Sequence, residues 1–202
     1  MRLLWREPAR LGWGVSQLRG LPPRVAWFYF RASRRAIRAA DAAALRAATG
    51  PESARHLLAV AAGAKSVVEL GTAAGWSAIA LTLADRDRRV TTFDPTPWPT
   101  RERYLQLMPA QARRRLTITE VEGALGAETF TTAPDLVFID SSHHRTDTIA
   151  SALAWRERLA TDGLIVFHDY ENESWPGVTE AIHELGLTGE SPGGSLFVWR
   201  PE

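Results

Sequence analysis

The stretch Ser66-Val67-Val68-Glu69-Leu70-Gly71-Thr72-Ala73-Ala74-Gly75-Trp76-Ser77-Ala78-Ile79-Ala80-Leu81 constrains the fold more than any other part of the chain. An apolar run ends near an acidic residue, passes through a turn of small residues and restarts with a helical pattern. The pattern predicts a strand over 66–70 and a helix over 77–84. Small residues in the turn let the backbone approach a ligand closely, and the helix N-terminus offers N–H groups without intrahelical partners. In open α/β sheets, nucleotide-type ligands bind in such crevices, beyond the carboxyl ends of parallel strands.

The remainder of the chain repeats the alternation. Further strands are predicted over 89–93, 116–120, 136–139, 164–167 and 196–200. Helices are predicted over 52–62, 100–108, 146–159 and 177–185. The runs at 136–139 and 164–167 are wholly apolar, as in strands covered on both faces. This succession argues a doubly wound α/β sheet. The first fifty residues show no strand alternation. Glycines and prolines up to Pro23 break the start into short pieces, and 25–49 carries one continuous helical pattern, stopped by Gly50-Pro51.

The chain has 202 residues, enough for a substantial core, and no cysteine, so disulfides and thiolate metal sites are excluded. No apolar run approaches the roughly 18 residues of a spanning helix. The start lacks the apolar stretch of a signal peptide, and the expected location is cytoplasmic. Residues 1–55 carry eleven arginines against Glu7, Asp41 and Glu52, a local balance of +8 that leaves −7 for the rest. Such an arm either folds onto the acidic body or meets an anionic partner. The first is the expectation. Aromatics are interleaved with its arginines (Trp5, Trp13, Trp27, Phe28, Tyr29, Phe30), and the cluster Trp27–Phe30 reads most simply as a buried anchor ahead of a helix. A lid over a ligand pocket, a homodimer contact and an anionic-surface contact are the roles open to the arm, in that order.

The turn at 71–75 does not suit a pyrophosphate. A dinucleotide fingerprint requires G-x-G-x-x-G, whereas here Ala73 stands where the second glycine should fall. Glu69 would repel phosphate and suit a cationic ligand. S-adenosylmethionine (SAM), which carries an ammonium and a sulfonium and no phosphate, fits that charge logic. Glu69-Leu70-Gly71-Thr72-Ala73-Ala74-Gly75-Trp76-Ser77 resembles the first motif of class I SAM-dependent methyltransferases. Its Gly-Thr and Gly-aromatic-Ser form is similar to the small-molecule O-methyltransferase branch. The resemblance implies a Rossmann-like, mostly parallel seven-stranded sheet with an antiparallel last strand, over residues 51–202. Residues 1–50 form a helical, Arg/Trp-rich N-terminal extension. Ser191-Pro192-Gly193-Gly194-Ser195 suits the turn of the terminal hairpin.

The same resemblance puts Glu69, Gly71, Thr72, Ala73, Gly75, Trp76 and Ser77 around the cofactor. Asp94, 23 residues after Gly71 at the end of the second strand, is placed to accept hydrogen bonds from the ribose hydroxyls. Glu122-Gly123-Ala124 follows the third strand, and Gly123 and Ala124 are expected beside the adenine, although a glycine turn needs no ligand to explain it.

Two acidic strand ends carry the chemistry. Phe138-Ile139-Asp140-Ser141-Ser142-His143 resembles the Ile-Asp-x-x-His segment of small-molecule O-methyltransferases, with Asp140 beside the methionine moiety. His168-Asp169-Tyr170 is similar to the Asp-Asp-Tyr of macrolide-sugar methyltransferases, with histidine replacing the first acid. Adjacent parallel strands lie about 4.8 Å apart, so Asp140 and Asp169 can converge. In one reading, Asp140, His168 and Asp169 hold a divalent metal that lowers the pKa of an acceptor hydroxyl. Oxygen ligands suit Mg²⁺, and the imidazole is more at home with Zn²⁺ and its neighbours. In the other, His168 is a general base held by Asp140 or Asp169. His143 is expected to order the loop or pack near the cofactor, and His144 to be exposed. Trp98 and Trp175 either stack on the acceptor or pack their loops onto the core. The expected activity is SAM-dependent O-methylation of a small hydroxylated molecule. Nucleic acid is not the expected partner; methylation of RNA through the basic arm and a non-catalytic SAM-binding module are the alternatives.

Overall fold

Strands that are apolar on both faces need cover on both sides, and this chain builds its sheet around three of them. In the computed structural model, which describes residues 16–201, the order begins with α1 (Pro23–Arg38), α2 (Ala42–Arg46), α3 (Pro51–Val60), β1 (Ser66–Leu70), α4 (Trp76–Ala84) and β2 (Arg89–Phe93). It continues with α5 (Arg101–Leu105), α6 (Ala110–Arg113), β3 (Leu116–Thr119), α7 (Gly123–Thr129) and β4 (Leu136–Ile139). The last elements are α8 (Arg145–Arg156), β5 (Leu164–Phe167), α9 (Pro176–Glu184), β6 (Gly189–Gly193) and β7 (Leu196–Trp199). Trp5 and Trp13 lie outside the described residues.

The seven strands form one sheet in the order β3-β2-β1-β4-β5-β7-β6. β1 to β5 run parallel, and β7 is antiparallel to both β5 and β6. The expected doubly wound sheet with an antiparallel last strand is therefore the observed one. Side chains alternate between its faces with period two. Val67, Phe138 and Val166 join the cluster under α1, α3 and α4, while Val68, Val137 and Ile165 face α8 and α9. Strand order reverses between β1 and β4. A crevice opens there at the carboxyl ends of the strands.

Three local expectations are corrected. The single helix over 25–49 is two. Ala40 takes a left-handed φ of 52°, and Asp41 caps α2 by accepting from the Ala44 N–H at 3.1 Å. A short acidic side chain competes with the helix for local backbone donors, so it starts a helix better than it continues one. Glu122-Gly123-Ala124 is a helix start rather than a simple turn, with the Glu122 carboxylate accepting from the Ala124 and Leu125 N–H groups. The terminal hairpin turns later than expected: Ser191, Pro192 and Gly193 belong to β6, and Gly194 and Ser195, both at positive φ, form the tip.

The arm's anchor is only half buried. Phe28 and Tyr29 meet Trp76 of α4 edge-on at 5.8 Å, whereas Trp27 is 60% exposed and stacks on Phe30. The helix period dictates this, since four consecutive residues cannot share one face. Among the described residues no helix is long and apolar enough to cross a membrane.

Candidate active site

At the end of β1, Glu69 is fully buried. Thr92 of β2 donates to its Oε2 at 2.6 Å, and the Thr72 hydroxyl lies 2.7 Å from that of Thr92. Ser77 stands near the carboxyl, but Oε1 has no hydrogen-bond partner. Burial pushes the Glu69 carboxyl up to about 8, and the charges of Asp140 and Asp94 push the same way against the two hydroxyls. Gly71 follows with φ 96°, and a Cβ there would come within 2.1 Å of the Asp140 carbonyl oxygen. The glycine is required by the neighbouring strand end, which closes on the turn. That is a packing reason, where the sequence offered a ligand reason.

A cavity of about 660 Å³ opens beside this turn, within the range of small-molecule sites. Asp94, Glu122, Asp140 and Asp147 line it, and among the described residues no arginine or lysine does. Such a wall opposes a pyrophosphate and favours a cationic ligand. The volume, the acidic lining and the partnerless Glu69 oxygen behind the turn all fit SAM. Of the residues expected around the cofactor, Gly71, Ala73, Asp94, Gly123, Ala124 and Asp140 line the cavity. Asp94 holds the turn in shape as well: its Oδ2 accepts from the Ala73 N–H at 2.8 Å and its Oδ1 from the Thr96 N–H at 2.9 Å.

Glu69, Thr72, Gly75 and Ser77 stand behind the turn rather than on the cavity wall. Gly75 adopts φ 82° as the residue before α4. Trp76 is turned to the core. It is 2% exposed and packs among Phe28, Tyr29 and Tyr104, as the first residue of a helix whose every face is covered. Gly123 sits where a Cβ would press within 3.2 Å of the Leu70 side chain, which lets α7 lie close on β1.

The carboxyl ends of β4 and β5 bring two aspartates and two histidines together. His168 Nδ1 lies 2.8 Å from Asp140 Oδ1, and His143 Nε2 lies 2.8 Å from Asp169 Oδ2 and 3.7 Å from Asp140 Oδ1. The His143 contact is an ion-pair distance without hydrogen-bond alignment, so its Nε2 has no aligned partner. Asp169 takes a left-handed φ of 59°, a region that aspartate tolerates better than most residues. Asn172 Nδ2 donates to its other oxygen at 2.6 Å. Burial alone would raise Asp140, but His168 and His143 outweigh it and hold the carboxyl at about 2. Burial would lower His143, yet the neighbouring carboxylates of Asp140 and Asp169 hold it up at about 9. His168 is likewise raised, against burial, chiefly by Asp140. Asp169 is lowered, against burial, by His143 and then His168. The cluster stabilises positive charge between two carboxylates.

Asp140, His143 and Asp169 each present a ligand atom, all within 4.8 Å of one another. The expected set contained His168 in place of His143. In the structure His168 spends Nδ1 on Asp140, and the i,i+3 spacing from Asp140 carries His143 back over the strand ends. That spacing was the signal for it. Trp175 stacks on the His143 ring at 4.4 Å and 27°, and Trp98 donates Nε1 to Thr100 while packing against the core. His144 precedes α8 as its N-cap residue and makes no side-chain cap bond. Thr49 was missed altogether: its hydroxyl donates to Asp140 Oδ2 at 3.3 Å, from 91 residues away.

No curated protein matches the sequence. Among solved structures, the chain is similar to the SAH-bound methyltransferase PaMTH1 of Podospora anserina, at 14% identity over 91% of this chain and 89% of that one, with a TM-score of 0.65. It is similar to the O-methyltransferase TomG of Streptomyces achromogenes, solved with SAM, at 21% identity over 75% and 79%, with a TM-score of 0.54. It is also similar to CalS11, a TDP-rhamnose 3'-O-methyltransferase of calicheamicin biosynthesis, at 17% identity over 73% and 76%, with a TM-score of 0.52. These likenesses show a shared fold. Residues 68–170, just over half of the chain, match the family model described as a methyltransferase domain. With that match, the sheet order and the acidic cleft at the reversal point between β1 and β4, the chain belongs to the methyltransferase-domain family and is a SAM-dependent methyltransferase of the class I fold.

Proposed function

We propose that this methyltransferase transfers the methyl group of SAM to a hydroxyl oxygen of a small molecule, with a divalent cation held by Asp140, His143 and Asp169. The observation that carries the reading is the Asp-His-Asp convergence at the ends of β4 and β5, with Asp140 shared between that cluster and the cofactor cavity. TomG and CalS11, which share the fold, are O-methyltransferases by their own descriptions.

SAM supplies a methyl group already activated on a sulfonium, so the protein's tasks are alignment, exclusion of water and removal of the acceptor proton. In this reading Asp94 accepts from the ribose hydroxyls and the N-terminal turn of α7 at Gly123 and Ala124 meets the adenine; that all three line the cavity supports it. Glu69 lies behind the turn with one oxygen uncommitted, which suits the cationic end of the ligand. A cation at the cluster would lower the pKa of the acceptor hydroxyl. Two carboxylates and one imidazole suit Zn²⁺ or a similar transition ion as well as Mg²⁺. His168 fixes the Asp140 carboxylate through Nδ1, a supporting role that keeps a ligand oriented. The metal-free alternative asks a histidine to accept a proton near neutrality. The carboxylates of Asp140 and Asp169 raise both His143 and His168, and in the cation-free cluster this favours the proton-bearing form over a free base; a cation bound between the same carboxylates would displace the proton from His143.

The test is methyl transfer from isotopically labelled SAM to a panel of phenolic and sugar hydroxyl acceptors, after chelation and again with Mg²⁺ or Zn²⁺. Ether product restored by a cation supports the reading. Undiminished ether formation in excess chelator removes the cation. Labelled product on nitrogen or carbon alone removes O-methylation.

A further inference from the structure

We infer that Thr49 is a positioning residue for the Asp140 carboxylate, delivered to the site by the N-terminal helices; the inference rests on the reading of Asp140 as a cation ligand. Thr49 lies between α2 and α3, outside the segment that carries the family match. It is 3% exposed, so its hydroxyl has no water to turn to, and a buried hydroxyl requires a partner. That partner is Asp140 Oδ2.

The hydroxyl is aimed by its own backbone. The Thr49 carbonyl accepts a hydrogen bond from the Tyr29 phenol at 2.9 Å. Tyr29 is fully buried in α1 and packs edge-on against Phe28 and Trp76. Burial, with Glu69 and Asp140 nearby, pushes its phenol far up, so it stays a donor. At the other end of the segment, Asp41 Oδ2 is tied to the Tyr104 hydroxyl at 2.8 Å and to Arg103 at 3.1 Å. The stretch from Asp41 to Thr49 is therefore held at both ends by residues of the core.

At Asp140 the consequence is geometric. Oδ1 is held by His168 Nδ1 and Oδ2 by Thr49 Oγ1, so the carboxylate cannot swing about its broad terminal torsion. At 3.3 Å the Thr49 bond is longer than the usual O–H···O bond, so it contributes orientation more than strength. Partners that orient a metal ligand typically change metal affinity by about 10- to 100-fold when removed. Thr49 and His168 thus divide the orientation of one carboxylate, one from the N-terminal helices and the other from β5.

Calorimetric titration of Zn²⁺ into chelated, SAM-free protein tests this in wild type, Thr49→Val, Thr49→Ser and Asp140→Asn. The expected result is about tenfold weaker Zn²⁺ binding in Thr49→Val and recovery in Thr49→Ser. Wild-type Zn²⁺ affinity in Thr49→Val, with binding lost in Asp140→Asn, overturns the role of Thr49 and leaves the reading of the site intact. Equal loss in Thr49→Val and Thr49→Ser shows a structural role and also overturns it. Unchanged binding in Asp140→Asn overturns the site reading, and the inference with it. Should Thr49→Val fail to fold, Tyr29→Phe frees the Thr49 carbonyl while keeping the ring, and unchanged Zn²⁺ affinity there overturns the inference.

Discussion

The ends of β1 and β4 are neighbours in register, and they carry two acids, fully buried Glu69 and partly buried Asp140, driven in opposite directions. Glu69 is pushed up to about 8 and Asp140 is held at about 2. Burial acts on both in the same sense and is the largest single influence on each. The partners decide the outcome. Glu69 meets only hydroxyls, which lower its pKa weakly, and two carboxylates that raise it further. Asp140 meets two imidazoles, which hold positive charge beside it. One strand end therefore keeps a neutral acid at pH 7, and the next keeps an ionised one. Burial sets the penalty, and the charge of the neighbours sets its sign.

The largest effect is expected from Asp140→Asn, which removes the charge that holds both histidines and the proposed cation. Single-turnover methyl transfer should fall by about 10³-fold. A loss under tenfold would break the contrast between the two acids.

Glu69→Gln tests the other half. The folded pKa of Glu69 lies near 8, above its ordinary 4.5, so its contribution to stability is complete below about 4.5 and is lost as pH rises through 8. Wild type should lose stability relative to Glu69→Gln between pH 5 and pH 9, by an amount on the order of a few kcal/mol, read from urea midpoints. A difference that stays flat with pH would mean that Glu69 is ionised in the folded protein.

Asp94→Ala should weaken SAM by about 10- to 100-fold, the worth of charge-assisted hydrogen bonds to the ribose together with the loss of the clamps on Ala73 and Thr96. Unchanged affinity in a calorimetric titration would leave Asp94 as a loop clamp alone. Trp175→Ala should have the smallest effect, about fivefold on Zn²⁺ affinity through loss of the stack on His143. A larger loss would give Trp175 a direct role with the acceptor.

Legibility in the sequence followed range. β1 to β5 and β7, the reversal-point cleft and the acids at positions 69, 94, 140 and 169 were readable, because apolar runs and strand-terminal acids are local patterns; β6, which has no apolar run, was read only as part of the hairpin turn. The core role of Trp76 was not legible, because the same loop motif serves both a cofactor and a core, and its contacts depend on the arrival of α1. His143 was read as ordering the loop, because its distance to Asp169 depends on how β4 and β5 lie side by side. Arg88 gave no signal. Its buried guanidinium donates to the carbonyls of Ala61, Ala64 and Leu81, tying the ends of α3 and α4 together.

The sequence by itself determined the class of sheet, the place of the cleft and the sign of the ligand charge the cleft accepts. Each of these follows from patterns within about twenty residues. Only the tertiary structure decided that both histidines lie between the two aspartates, why Gly71 has to be glycine, and that Thr49 from the N-terminal helices reaches Asp140. These depend on distances between segments up to 91 residues apart. Packing sets such distances, and packing is a property of the whole chain.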